Sequence, residues 1–439
     1  MRIERLAMNP LARTLNETLE GTSAYVLLSS YGRHMFTPKG IIAQSAEAKQ
    51  KAHAINATIG IATAEGLPMF LPAIRSRFSP DVSLGDVFPY APTMGLPELR
   101  KLWKEDLINK NPSLQGKSFS LPLVVSGLTH AISSIGSLFI DEGDTVLMPD
   151  YYWDNYSMVL EEQRRANIVL FSFYDEQGGF NLKGLDAVLA DHAGKKVILL
   201  LNFPNNPTGY TPTTVEAAGI TDILVRHAER GTTILAMIDD AYFGLVYEDG
   251  VERQSLFAYL VDAHENILAV KGDAATKELM VWGFRTGFIT YGCKGMSEAQ
   301  YDALLQKTGG AVRGTVSCSP TVSQAFIRDA LKNPETATQR ENNVKPLRER
   351  YMAMKAAIAR QKPTDILIPL SFNSGYFMSF RFTGKAEKLR LHLLENYGIG
   401  TIALQEVLLR IAYSSVDVAL IPLLVDTLYK AAAEVMDKG

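Results

Sequence analysis

Cysteine is nearly absent from this 439-residue chain: Cys293 and Cys318 are the only two. They form no CxxC pair or other metal-ligand spacing, which argues against a disulfide framework or a zinc ribbon. The seven histidines are scattered with no HExxH, so no metal site is expected. Long apolar runs are missing too. None reaches the roughly 18 residues that a bilayer-spanning helix needs, and Met1-Arg-Ile-Glu-Arg-Leu6 lacks the apolar core of a signal peptide. Charge of one sign does not dominate: a net charge of -3 and a pI near 6.2 give no reason to expect nucleic acid or an anionic membrane as partner. There is no internal repeat and no low-complexity tract. What is present, 47% hydrophobic and 21% charged residues, describes a soluble globular chain long enough for two domains, with a reduced, cytoplasmic setting expected.

The organisation changes along the chain. The first forty residues show no clear periodicity. A turn at Pro38-Lys-Gly-Ile41 leads into a predicted helix over 41–55, a short extended segment over 56–61, a helical stretch over 68–78, a rigid loop Phe88-Pro-Tyr-Ala-Pro92 and an amphipathic helix over 96–107. From residue 121 strands alternate with helices. Strands are predicted at 121–126, 145–148, 168–173, 197–202, 232–238, 267–270 and 288–291, and helices at 156–164, 185–192 and 214–230. Near-continuous apolar strands separated by helices imply an α/β fold with a mostly parallel sheet covered on both faces, and ligands of such sheets gather beyond the carboxyl ends of the strands. After about residue 320 a long helix over 341–361 precedes a smaller α/β layer: a strand within 375–382, a helix through 395, a strand at 408–413 and a terminal helix from 420.

The chemistry centres on Asp273-Ala-Ala-Thr-Lys-Glu-Leu-Met-Val-Trp-Gly-Phe-Arg-Thr-Gly287. Lys277 falls in the connection between two predicted strands, where lost solvation lowers an amine's pKa toward the nucleophilic range. Arg285 carries a permanent charge in a fork suited to phosphate. Lys271 competes for the first role but lacks the following Gly-x-Arg-x-Gly, and is read as structural or solvent-facing.

Other strand ends carry further candidates. In Asn202-Phe-Pro-Asn-Asn-Pro-Thr-Gly-Tyr210, Asn206 either serves the turn or directs its amide at a ligand oxygen. In Asp239-Asp-Ala-Tyr242, Asp239 either caps a helix or holds a ring nitrogen protonated. About 4 kcal/mol for such a pair at roughly 4 Å and an effective dielectric of about 20 amounts to some three pKa units. Gly127-Leu-Thr-His-Ala131 opens a helix after a strand, so its free N–H groups and the Thr129 hydroxyl can receive phosphate. The aromatics of Tyr151-Tyr-Trp-Asp-Asn-Tyr156 are either core or a stacking platform.

Taken together, in this order and at these spacings, these pieces resemble the class I/II aminotransferases of pyridoxal-phosphate fold type I, the aspartate aminotransferase group, over roughly residues 56–414. The resemblance implies a large cofactor domain over 71–325 and a small domain from 1–70 and 326–439. It implies pyridoxal 5'-phosphate bound through Lys277, with Asp239 on the pyridine nitrogen and Asn206 and Tyr242 on the phenolic oxygen. The phosphate would be held by Leu128, Thr129, Thr276 and Arg285, and by Tyr90 from a second subunit of a homodimer; Trp153 would stack on the ring, ahead of Tyr151 and Tyr152. Arg410, in Leu-Leu-Arg-Ile-Ala-Tyr413, matches the arginine that clamps the substrate carboxylate, and Gly60 a glycine that leaves room beside it. Arg313, by the same carry-over, would bind a side-chain carboxylate across the dimer, with Ser317 adding a phosphate contact there. Alanine stands at 274 where the family often has serine, removing one phosphate donor, while Thr276 keeps another. The implied reaction moves an amino group between an L-amino acid, of aspartate, glutamate or aromatic type, and a 2-oxo acid such as 2-oxoglutarate. A lyase or decarboxylase on the same scaffold is the alternative. A cofactor-binding regulator is less favoured, because only about 55 residues precede the matched segment and they hold no basic helix-turn-helix pattern.

Overall fold

The computed structural model describes residues 8–36 and 40–437. Its centre is a seven-stranded sheet of β1 (Leu123–Val125), β2 (Thr145–Pro149), β3 (Asn167–Phe171), β4 (Lys196–Asn202), β5 (Thr233–Asp239), β6 (Ile267–Ala274) and β7 (Gly287–Gly292). The spatial order is β1-β7-β6-β5-β4-β2-β3. Six strands run the same way, and β7 is antiparallel to both β1 and β6. The inner strands are buried on both faces: after their first exposed residue, Lys196 and Thr233, every residue of β4 and β5 is buried. That explains why they read as unbroken apolar runs rather than alternating ones. Helices Leu128–Phe139, Leu182–Ala190 and Thr214–Glu229 connect them. The last is opened by a capping box, in which the Thr213 side chain accepts the Glu216 N–H and Glu216 accepts from the Thr213 N–H.

A smaller antiparallel sheet is built from β8 (Leu367–Pro369), β9 (Met378–Phe382), β10 (Ile402–Leu404) and β11 (Leu408–Ile411), in the order β8-β9-β11-β10. Helices Ala386–Tyr397 and Ile421–Asp437 accompany it, and the long helix Thr336–Ala359 leads into it. Ile55–Asn56 pairs in parallel with Ile399–Gly400, so a segment far upstream joins this layer.

Several expectations change. The stretch 68–78 is not one helix: Leu67–Pro68 pairs with Thr63–Ala64 in a hairpin, and only the single turn Pro72–Arg75 is helical, begun by a proline at its first position. The helix from Ile41 ends at Lys51, ahead of the strand at Ile55. The predicted helix over 156–164 is a wider π-type turn, Ser157–Glu162. The first forty residues contain helices Pro10–Leu19, Ser23–Leu27 and Ser30–His34, opened by side-chain oxygens of Asn9, Thr22 and Ser29. Each begins at a capping residue that the sequence shows. The turn predicted at Pro38 lies outside the described residues.

Candidate active site

The sheet delivers its polar residues to one edge. Asn202 and Asp239, the last residues of β4 and β5, are register partners. β6 runs directly into the turn Ala275–Glu278, which carries Thr276 and Lys277. Gly127 follows β1 and opens the helix from Leu128. Because β7 is antiparallel, its first residue, Gly287, pairs with both Val125 and Ala274, and Arg285 just before it arrives at the same edge. Arg285 itself is left-handed, with φ 50°, an uncommon state for a side-chain-bearing residue.

These elements surround a cavity of about 260 Å³ lined by Gly60, Leu128, Thr129, Trp153, Asn206, Asp239, Tyr242, Thr276, Lys277, Arg285 and Arg410, together with Ile41, Tyr156, Asn202, Ala241, Ala274 and Phe377. The wall at Arg285 faces a glycine in a positive-φ conformation. A Cβ on Gly127, whose φ is +84°, would stand 2.3 Å from Nη2 of Arg285. Beside the guanidinium lie the N–H groups at the start of the Leu128–Phe139 helix and the hydroxyls of Thr129 and Thr276, the donor set of an anion cradle.

Asp239 is 2% exposed. Its Oδ1 accepts the Ala241 N–H at 2.9 Å, and its Oδ2 accepts the Tyr156 hydroxyl. Burial raises the carboxyl pKa, opposed by those two donors and by the charge of Lys277. Lys277 is half-buried, its Nζ 4.4 Å from the centre of the Tyr242 ring. Burial pulls its pKa down to about 8; Asp239 resists the shift and Arg285 adds to it. Burial drives the Tyr242 phenol upward, with Asp239 adding to the shift and Arg410 opposing it.

Arg410, on β11, reaches the cavity from the small sheet. It donates from Nη1 to Asn206 Oδ1 at 2.9 Å and from Nη2 to the Thr58 carbonyl at 3.2 Å, and its Cζ sits 4.2 Å from the centre of the Phe377 ring. Its buried Nε has no protein partner among the described residues. Burial pulls its pKa down to about 10, against Tyr242 and Asp154, so it is charged at neutral pH. The loop carrying Asn206 is held by its neighbours: Asn202 Oδ1 accepts the Asn206 N–H at 2.8 Å, and Asn202 Nδ2 donates to the Asp239 carbonyl at 3.0 Å. A Cβ on Gly60 would stand 3.4 Å from the Phe377 ring.

The three residues expected to act from a second subunit lie outside this chain's own cavity. Tyr90 is 93% exposed and, with Arg313 and Ser317, is absent from the cavity lining. Arg313 donates to the Ser317 hydroxyl at 2.7 Å on the surface. Tyr151 packs on Phe173 and Tyr174, and neither it nor Tyr152 lines the cavity. The solvent-facing option for Lys271 is wrong. The residue is 0% exposed, and its ammonium pairs with Asp240 and, at 3.4 Å, with Asp273.

Sequence reasoning overlooked Tyr156, Asn202, Ile41 and Phe377. Tyr156 follows Trp153 by three residues, close to one helical turn, and that spacing would have placed both aromatics on one face. Ile41 and Phe377 carry no polar signal.

An α/β sheet with a lysine, an acid, an arginine cradle and a second arginine gathered at its carboxyl edge defines the class of structure. A family model for aminotransferase class I and II matches residues 64–428, and the chain belongs to that family, whose members such as aspartate aminotransferase use pyridoxal phosphate as a general property. Among curated proteins, the chain is 28% identical over 249 residues to a probable aspartate/prephenate aminotransferase of Aquifex aeolicus, covering 56% of this chain and 57% of the relative. It is 25% identical over 256 residues to an aspartate aminotransferase of Rhizobium meliloti, covering 56% and 55%. The chain thus spans little more than half the length of these relatives. Among solved structures, an aminotransferase of Anaerococcus prevotii superposes with a TM-score of 0.82 at 22% identity, over 92% of this chain and 99% of that one. A multiple substrate aminotransferase of Thermococcus profundus gives 0.78 at 16% identity, over 95% and 100%. At these identities the two structures are alike in fold.

Proposed function

We propose that the chain is a pyridoxal-phosphate-dependent aminotransferase acting between an L-amino acid and a 2-oxo acid. The observation that carries this reading is the placement of Lys277, an amine pulled to about 8 by burial, in one cavity with the Asp239 carboxylate and the Arg285 guanidinium. The residues fit the cofactor. Arg285, opposite a glycine whose φ of +84° disfavours any side chain, suits a phosphate, and a buried carboxylate already holding two donors suits a protonated ring nitrogen. The Asn206 amide nitrogen, its oxygen being taken by Arg410, suits a phenolic oxygen, as does the Tyr242 hydroxyl. Trp153 would cover one ring face.

When bound, the cofactor supplies the electron sink for the substrate's Cα–H bond. Lys277 would hold it covalently at rest, then, displaced by the incoming amine, take the substrate's Cα proton and deliver it to the cofactor carbon that Lys277 had held. Asp239 would keep the ring nitrogen protonated, so that the ring can accept those electrons. Arg410 would fix the substrate carboxylate in a bidentate grip, orienting the Cα–H bond, with Gly60 leaving room beside it.

A dicarboxylate donor, aspartate or glutamate, with 2-oxoglutarate as acceptor, follows if Arg313 of a second copy reaches the cavity; aromatic donors remain open. The same arrangement would bring Tyr90 and Ser317 to the phosphate of the neighbouring copy. Exposed Phe78, Leu84, Phe88 and Tyr90 on one surface segment support a homodimer. We assign residues 71–325 to the cofactor domain and 1–70 with 326–439 to the small one, which the Ile55–Asn56 pairing with Ile399–Gly400 supports. Both cysteines are free, in keeping with the cytoplasm.

The test is a half-reaction screen. The holoprotein is mixed with each amino acid in turn and conversion to the aminated cofactor is followed, then repeated with Arg313→Ala. A keto acid formed with total amine constant supports transfer; release of ammonia or carbon dioxide overturns it. Acidic donors reacting no faster than neutral ones would remove the dicarboxylate assignment.

A further inference from the structure

The Tyr156 hydroxyl faces the most buried acid of the cavity and belongs to a residue that nothing so far gives a task. Tyr156 is 1% exposed and is held edge-on against Trp153, with ring centres 5.6 Å apart at 83°. Its hydroxyl donates to Oδ2 of Asp239, while Oδ1 is engaged by the Ala241 N–H at 2.9 Å. The carboxylate is thereby gripped from two sides, one donor on each oxygen, and its plane is fixed.

Both donors are neutral. Burial and the adjacent Asp239 charge push the Tyr156 phenol well above its ordinary range, so it gives a hydrogen bond without giving up its proton. A cationic partner in the same place would cancel the carboxylate's field, whereas a neutral one stabilises the anion and leaves its full charge available to the cavity. The charge of Lys277 also acts on Asp239.

Resting on the aminotransferase reading above, we propose that Tyr156 is a positioning residue for Asp239: its hydroxyl fixes the rotamer and the ionised state of that carboxylate so that the second lone pair of one oxygen is aimed at a ring N–H in the cavity. Tyr156 touches no reacting atom in this assignment. It acts on how strongly the protein distinguishes a protonated ring nitrogen from a ring position that cannot donate.

That distinction is measurable without turnover. Apoprotein is titrated with pyridoxal phosphate and with its 1-deaza analogue, in which a C–H replaces the ring nitrogen, and the ratio of the two dissociation constants is the readout. Wild type favours the nitrogen form. Tyr156→Phe keeps the ring and its packing and loses only the donor; the ratio is expected to fall about tenfold or more, as one hydrogen bond to a charged group is lost. Asp239→Asn calibrates the total loss. Tyr156→His, which restores a donor, recovers part of the ratio and serves in its place should the phenylalanine variant fail to fold. A Tyr156→Phe protein with lowered thermal stability but an unchanged ratio would make Tyr156 merely structural and overturn the inference. Wild-type protein that binds neither vitamer would overturn the aminotransferase reading itself, a different failure.

Discussion

The Arg410 guanidinium donates to the Asn206 amide oxygen at 2.9 Å, tying a residue of the small sheet to the loop that closes β4. One contact thus couples the group assigned to the substrate to a group assigned to the cofactor. It also fixes the amide's orientation: with Oδ1 taken by Arg410, Nδ2 is the atom left to donate.

Arg410→Ala should therefore weaken amino-acid binding far more than cofactor binding. Losing one member of a buried, hydrogen-bonded charge contact costs about 2–5 kcal/mol, which predicts a rise of about thirtyfold to a few thousandfold in the half-reaction dissociation constant for a carboxylate substrate. Pyridoxal phosphate affinity should move by less than tenfold. Stopped-flow half-reactions and apoprotein titration measure the two separately, and equal losses in both would contradict the division of labour.

The pH dependence of Lys277 has a definite sign. A lysine depressed to about 8 is mostly charged at neutrality and becomes the neutral nucleophile as pH rises through that value, not through about 10.4 as in an ordinary lysine. Capture of pyridoxal phosphate by the apoprotein should accelerate up to about pH 8 and then level off. Rates still climbing steeply past pH 9.5 would mean that the amine is not desolvated. The same shift implies that the unfolded chain binds the extra proton between about pH 8 and 10.4, so Lys277 costs stability below this window and the cost is relieved as pH rises through it.

Gly127 offers a geometric test of the phosphate cradle. Its φ of 84° and ψ of 171° lie in a region essentially reserved for glycine, worth about 1–3 kcal/mol against any side chain, and an added Cβ would press on Arg285 at 2.3 Å. Gly127→Ala should lower affinity for pyridoxal phosphate at least tenfold while leaving that for phosphate-free pyridoxal nearly unchanged. A parallel loss for both ligands would point to general distortion rather than to displaced Arg285.

Much of this arrangement was legible in the residues because the sheet edge is written locally. Apolar runs such as 197–201 end in polar residues, and Asn206, Asp239 and Lys277 follow such endings, while Arg285 stands at the entry to the next strand; all four line the cavity. The family resemblance added Arg410, which no local pattern marks, because its position depends on pairing between β9 and β11. Tyr156 was hidden for another reason. Its contact with Asp239 spans 83 residues, and a tyrosine in an aromatic cluster reads as core until its hydroxyl is seen to have a partner. The helical reading over 68–78 failed because hairpin pairing of Pro68 with Thr63 outweighed local propensity.

Lys271 shows how far a one-dimensional reading can miss an ion pair. Alternation along β6 gives no hint that its ammonium is sealed between Asp240 and Asp273, with Trp103 Nε1 donating to Asp273 at 3.1 Å and the Ser255 hydroxyl to Asp240 at 2.5 Å. Burial raises the Asp273 carboxyl to about 6, with Lys271 holding it down. A folded-state pKa above the unfolded value of about 3.9 means that the folded chain binds more protons, so this acid costs stability increasingly as pH rises through that interval. Lys271→Met removes the counter-charge and leaves two buried carboxylates facing each other. Their pKa values should climb further, extending the destabilising window to higher pH. Urea unfolding should find the variant about 3–5 kcal/mol less stable than wild type at pH 8 and the gap smaller at pH 5, where protonation relieves it. A pH-independent gap would mean that packing, not charge, is what Lys271 contributes.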